Sequence, residues 1–373
     1  MLFKDIIGQE RIKQTLIQSA RNGRISHTQL FLGPEGSGCL PLAVAYAQYI
    51  NCLNPSETDS CGECSSCVKF EKLVHPDLHF TFPTIAIEKK KLSNEFIVEW
   101  RNAFTQNPYL SELQWVLKLD EEGKKQGNIT AEECRDVIKK VSLKSFEAKY
   151  KTIIIWLPEY MRQEGNILLK LLEEPPQNTL ILLVAQDSEK VLATILSRAQ
   201  TLKIPHLLDD NISNELTEKY QIDPMEAETI ARVAEGNIVM ALALLDAGRS
   251  DYNQLFAEWM RACYKREMKE VNTLIDKISS TGREFIKSFI GYGLHMLRAV
   301  LLSKHADPKL IKLSKSEQDF ISKFAVVFND QNIEEISREL NETAFQIERN
   351  SDLRITFLNL SLYISRRLIK PSA

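Results

Sequence analysis

The chain has no surplus of charge: 47 Lys and Arg stand against 50 Asp and Glu, for a formal net charge of −3. A protein that grips nucleic acid by itself through many phosphate contacts needs a basic excess or stripe, so tight, salt-sensitive binding by the whole chain is excluded. Any DNA contact is expected to be local or shared with partners. Long apolar runs are also missing, since nothing approaches the ~20 apolar residues of a membrane span. The opening Met1-Leu2-Phe3-Lys4-Asp5 meets an acidic residue where a signal peptide needs an apolar stretch. The expectation is a cytoplasmic protein without a membrane partner. Of seven cysteines, four fall within sixteen residues, a spacing that points to metal rather than to a framework of disulfides. With 373 residues, the chain is too long for one ordinary core, and two or three domains are expected.

What is present begins with Gly33-Pro34-Glu35-Gly36-Ser37-Gly38-Cys39-Leu40. A phosphate-binding loop reads G-x-x-x-x-G-K-[ST]: its glycines let backbone N–H groups cradle phosphates, its lysine reaches the β/γ oxygens and its hydroxyl holds Mg²⁺. Gly33, Gly36 and Gly38 are in register for such a loop, but Cys39 stands at the lysine position and Leu40 at the hydroxyl position. The flanks fit the pattern, with the apolar strand Gln29-Leu30-Phe31-Leu32 before the loop and a helical stretch from Pro41 to Ile50 after it. A helix N-terminus still offers N–H groups and a positive dipole end, so weak nucleotide binding is compatible with this loop, whereas ATP/Mg²⁺ hydrolysis is not expected.

Cys52, Cys61, Cys64 and Cys67 follow, separated by eight, two and two residues on a polar, turn-rich segment. Tetrahedral Zn²⁺ takes four thiolates in this way, and a site filled by four cysteines leaves no open position for water, so a structural zinc is expected. His75 and His79 read as loop histidines beside this module. The run Glu88-Lys89-Lys90-Lys91 reads as a solvated turn. Residues 93–127 read as an insertion without an assigned role, with Phe96, Val98, Trp100 and Phe104 suggesting a helix and Trp115-Val116-Leu117-Lys118-Leu119 a strand.

Lys151-Thr152-Ile153-Ile154-Ile155-Trp156-Leu157 and Leu180-Ile181-Leu182-Leu183-Val184 are nearly continuous apolar runs, the pattern of parallel strands buried on both faces. An ATPase ends the first of these strands in acidic residues that hold Mg²⁺ and orient water. Here Trp156-Leu157-Pro158 occupies that end, and Glu159, two residues late, reads as a surface or capping residue. Strands alternating with helices predict an α/β domain with a parallel sheet over residues 1–205.

Together, Phe3-Lys4-Asp5-Ile6-Ile7-Gly8-Gln9, the loop at Gly33, the four-cysteine module, Leu168-Leu169-Lys170-Leu171-Leu172-Glu173-Glu174-Pro175-Pro176 and Ser197-Arg198 resemble the bacterial clamp-loader AAA+ family, over most of residues 1–205. The resemblance implies an AAA+/RecA-like P-loop domain with an inserted zinc module (52–67) and an insertion (93–127), a small helical lid at 206–250 and an all-α collar at 251–373. It implies a subunit of a hetero-oligomer containing gamma/tau-like ATPases and a delta-like subunit, acting on a sliding clamp and primer-template DNA through the complex. The family's Ser-Arg-Cys motif stands here as Ser197-Arg198-Ala199, so Arg198 would be the finger offered in trans to a neighbour's ATP. An arginine that senses phosphate in active relatives sits near the position of Val239. These departures point to a non-hydrolysing member, the alternative being a divergent ATP-hydrolysing subunit of the gamma/tau type.

Overall fold

Three apolar segments, spanning residues 28–32, 151–156 and 179–185, have too many β-branched and leucine side chains to leave either face exposed, and they form the middle of the sheet. A computed structural model describes residues 1–87, 91–120, 127–246, 249–305, 315–349 and 351–368. The Glu88-Lys89-Lys90 part of the lysine run and residues 121–126 of the insertion lie outside the described residues. The chain divides into two compact units, Met1–Asn211 and Ile212–Ala373.

In the first unit, β1 (Thr28–Leu32), β2 (Leu78–Thr81), β3 (Lys151–Trp156), β4 (Thr179–Ala185) and β5 (Gln200–Lys203) form one sheet in the order β2-β3-β4-β1-β5. Every pairing is parallel. Side chains alternate between faces with the period of two that a strand imposes. Phe31, Ile154, Trp156, Leu180, Leu182 and Val184 enter one core. Leu30, Ile153, Ile155, Ile181, Leu183 and Ala185 enter the other.

The first core is covered by α1 (Glu10–Arg21), α2 (Cys39–Ile50), α3 (Ser65–Glu71), α4 (Ile97–Gln106) and α5 (Glu112–Leu119). All twelve residues of α2 are buried, so this helix is apolar on every side. The second core is covered by α6 (Ala131–Ser142), the 3-10 stretch Pro158–Leu168, α7 (Leu169–Glu173) and α8 (Ala193–Leu196). Thr130 caps α6, its side chain accepting from the Glu133 N–H. The expected strand at Trp115 is the helix α5 instead: Ser111 and Gln114 form a capping box, and a buried Leu113, Trp115 and Val116 follow helical rather than alternating spacing. His75 is a loop histidine, though a buried one, whereas His79 lies on β2 and not in a loop.

The second unit begins within α9 (Asp209–Tyr220) and contains α10 (Pro224–Ala234), α11 (Ile238–Asp246), α12 (Arg249–Lys265), α13 (Met268–Ser279), α14 (Arg283–His305), α15 (Lys315–Phe324), α16 (Asp330–Glu348) and α17 (Leu353–Arg367). Its core is aromatic: Phe256 and Trp259 of α12 pack on Phe289 of α14, and Trp259 also meets Phe357 of α17. The Trp259 indole N–H donates to Ser361 Oγ at 2.9 Å, as a buried indole requires. By length and composition Phe285–His305 is apolar enough to cross a membrane. Its Phe289, Tyr292, Met296 and Val300 are buried within this helical core.

Candidate functional site

Strand β1 leads into α2 over the first core, whereas β4 leads into α8 over the second. Adjacent parallel strands whose connections leave to opposite faces open a crevice at their carboxyl ends, the place where sheets of this class bind ligands. The Gly33–Leu40 loop borders that crevice. Its backbone keeps the conformation that needs glycine, with Gly36 at φ 77° and Gly38 at φ 93°. A side chain at Gly33 would put a Cβ 2.4 Å from the Ile204 carbonyl oxygen.

The chemistry of the loop is absent. Cys39 begins α2 with its thiol 3.3 Å from Ser37 Oγ, and burial pushes that thiol up to about 12. It is neutral where a lysine would carry its charge. Leu40 points into the first core.

The end of β3 is equally altered. Trp156 joins an aromatic cluster, 5.0 Å from Trp100 between ring centroids, and Trp100 stacks on Phe82 at 4.2 Å and meets Trp115 edge-on at 5.1 Å. Leu157 takes a left-handed conformation and donates its N–H to Val184. Glu159 is a buried cap: one oxygen accepts the backbone N–H groups of Gln186 at 2.6 Å and Asp187 at 3.0 Å, just past β4. Burial raises its carboxyl, and its second oxygen is buried with no partner among the described residues.

The remaining crevice is lined by the loop, by Trp156, by Val184-Ala185-Gln186 and by Pro108-Tyr109-Leu110 from the α4–α5 turn. Its volume is about 30 Å³. That is small against roughly 300–1,000 Å³ for a small-molecule site.

The four clustered cysteines do come together. All four Sγ atoms lie within 4.8 Å of one another. Cys52 Sγ is 3.5 Å from Cys61 Sγ, which is 3.9 Å from Cys67 Sγ. A tetrahedron with metal–sulfur bonds of about 2.3 Å has edges of about 3.8 Å, so the cluster fits a four-thiolate ion. Backbone N–H groups of Cys61, Cys64 and Cys67 point at Cys52, Cys61 and Cys64 sulfurs at 3.2–3.4 Å, the outer contacts that favour thiolate. At Cys64, burial is outweighed by such contacts and the thiol is held down to about 6, whereas burial pushes Cys52 and Cys67 up.

Arg198 follows α8 and is not among the residues that line the crevice. Its Nε donates to Glu173 Oε1 at 2.6 Å, and its Nη1 donates to the Thr194 carbonyl at 2.9 Å and to Ser197 Oγ at 3.2 Å. Two of the three guanidinium nitrogens are thus held by its own domain. Leu172, next to Glu173, and Ile195 are both buried in the second core, so the gripping elements are anchored. Val239 is a buried residue of α11.

Tyr109, Trp100 and Glu173 were not identifiable as site residues from sequence alone. The Ser111-x-x-Gln114 box was the one readable signal that a helix restarts just after the Asn107-Pro108 turn.

The family described as DNA polymerase III, delta subunit, matches residues 8–207. DNA polymerase III subunit tau of Bacillus subtilis is 28% identical over 251 residues, covering 65% of this chain and 37% of the relative. Subunit delta' of the same organism is 28% identical over 237 residues, covering 63% and 59%. Subunit gamma of Buchnera aphidicola is 25% identical over 309 residues, covering 76% and 73%. The matching region is thus less than two thirds of the length of the tau and delta' relatives. Among solved structures, a gamma subunit-related protein from Thermotoga maritima aligns over 96% of this chain and 99% of its own, at 16% identity and a TM-score of 0.39.

Proposed function

Because the chain belongs to the DNA polymerase III clamp-loader family, we propose that it is a non-hydrolysing, delta-prime-like subunit that assembles with gamma/tau-like ATPases and a delta-like subunit to load a sliding clamp on primer-template DNA. The observation that carries this reading is the buried, neutral thiol of Cys39 at the one position where a phosphate loop needs a cation. Removing a comparable electrostatic stabiliser costs a transition state about 2.7–4 kcal/mol, or roughly 10²–10³ in rate, before the loss of the hydroxyl at Leu40 is counted. Arg198 is the residue offered to a neighbour's nucleotide, residues 206–250 are the lid and residues 251–373 the collar. The four cysteines hold a structural zinc. The purified chain alone is expected to hydrolyse Mg-ATP no faster than background. Robust magnesium-dependent turnover would overturn the reading.

The unpartnered oxygen of buried Glu159 favours a second reading, a divergent ATPase of the gamma/tau type that uses this carboxyl as its base. The same assay decides between the two, since that reading requires the turnover to vanish in Glu159→Gln.

A further inference from the structure

The insertion docks through aromatic rings. Trp100 of α4 lies between Phe82, which follows β2, and Trp156 at the end of β3, and Trp115 of α5 closes the cluster at its edge. The indole N–H of Trp115 donates to the Pro83 carbonyl at 2.8 Å, fixing α5 against the chain that leaves β2. The docking point is therefore the strand end where an ATPase keeps its acidic residues.

From this anchor the α4–α5 turn crosses to the loop. The turn is stiff. Asn107 Oδ1 accepts the Tyr109 N–H at 3.0 Å, Asn107 Nδ2 donates to Gln114 Oε1 at 3.1 Å, and the Ser111–Gln114 capping box closes its far end. Pro108 fixes φ at its own position. The tip of the turn puts the Tyr109 ring 3.3 Å from where a Cβ on Gly38 would stand, and its hydroxyl accepts the Ile7 N–H at 2.7 Å. One side chain thus bridges the N-terminal segment and the last glycine of the loop, and Pro108 and Leu110 line the crevice on either side of it.

We propose that the insertion is a built-in occupant of the nucleotide crevice and that Tyr109 is its specificity-determining residue: it excludes nucleotide independently of the missing lysine and hydroxyl. The proposal deepens the non-hydrolysing reading and rests on it for the identity of the crevice. Two separate devices then close one site. Cys39 and Leu40 remove the attraction for phosphate, and Tyr109 removes the space.

The two devices separate in a fourfold comparison of the full chain, with binding of a fluorescent ATP analogue and Mg²⁺ as the readout. The unaltered chain, Tyr109→Ala, the double variant Cys39→Lys/Leu40→Thr, and the three changes together are compared. Restoring the loop alone is expected to leave binding weak, because a site open in about one molecule in ten loses about tenfold in apparent affinity. Removing the ring in that background is expected to tighten binding by about tenfold or more. Tyr109→Phe in the same background retains the ring and is expected to stay weak. Tyr109 is a half-buried turn residue, so the variants should keep the far-UV circular dichroism of their parents and, with the Ile7 N–H losing its acceptor, melt only a few degrees lower. Equal affinity of the double and triple variants overturns the proposal, and so does a folded triple variant that fails to bind. Failure of the non-hydrolysing reading looks different: the unaltered chain itself binds the analogue and turns over ATP.

Discussion

Replacing Arg198 with Ala should separate stability from function. The guanidinium makes an ion pair and two hydrogen bonds, but its side chain is 30% exposed and that of Glu173 is 48% exposed. Exposed pairs of this kind contribute about 0–1 kcal/mol, so Arg198→Ala is expected to lower the stability of the isolated chain by no more than about 1 kcal/mol. In the assembled clamp loader the expectation is far larger. An arginine supplied in trans stabilises charge on the transferring phosphoryl group and is worth about 10³–10⁵ in rate where such fingers operate. Nε and Nη1 are held, and no protein partner of Nη2 is found among the described residues, so in the proposed role Nη2 is the nitrogen left to meet a phosphate. The assay is ATP turnover by the nucleotide site adjacent to this chain in the co-purified complex, measured beside urea melts of the isolated subunit. Glu173→Gln, which keeps an acceptor for Nε, should stay close to the unaltered turnover, and Glu173→Ala should fall below it. Unchanged turnover with Arg198→Ala in an intact complex would refute the reasoning.

Metal analysis of the purified chain should find about one zinc per molecule, and Cys64→Ser should lose most of it along with several degrees of melting temperature; a full-length chain with no bound metal undoes the four-thiolate reading. Acid should weaken the first unit through His79. Burial, with Lys140 and Lys151 nearby, holds its imidazole down to about 4, so the folded chain stays neutral there while the unfolded chain takes up a proton below about 6.5. The folded value is depressed, so this contribution is present above the unfolded value and is lost as pH falls from about 6.5 toward 4, by up to about 3 kcal/mol. Denaturant melts at pH 7 and pH 4.5 should show a smaller acid loss for His79→Leu than for the unaltered chain; identical losses would remove His79 as the cause.

The parts of the fold legible in the sequence were those written in local pattern. Runs such as Ile153-Ile154-Ile155 and Leu180-Ile181-Leu182-Leu183 have the length and composition of strands buried on both faces, and β3 and β4 are such strands. Cys52, Cys61, Cys64 and Cys67 are spaced closely enough for their sulfurs to meet between the end of α2 and the start of α3, and they do. The insertion was illegible for the opposite reason. Trp115-Val116-Leu117-Lys118-Leu119 has strand composition, but its aromatic ring is buried by Trp100 and Phe82, partners that sequence spacing cannot announce, and tertiary packing overrides the local preference. Glu173 was similarly hidden: its role depends on Arg198, twenty-five residues away.

The positions where an ATPase would carry chemistry are not left as gaps here. Leu40 and Trp156 are part of the first core, and Trp156 is where the insertion docks. A hydroxyl restored at Leu40 or a carboxylate restored at Trp156 would have to be desolvated among apolar side chains, at a cost of roughly 1–3 kcal/mol for the hydroxyl and several for the carboxylate unless a partner is provided. Reversion by one substitution is therefore opposed by packing as well as by the missing neighbours. Arg198 stands under no such constraint. It lies outside both cores, held by an exposed ion pair, and in the proposed reading it is the position that retains a group able to act on a neighbour's charge. The asymmetry makes a specific demand on any assembly. If the chain serves a neighbour's site and not its own, then mutating Cys39, Leu40 or Trp156 to other apolar residues of similar volume should leave turnover of the complex unchanged, while Arg198→Ala abolishes most of it at the adjacent site.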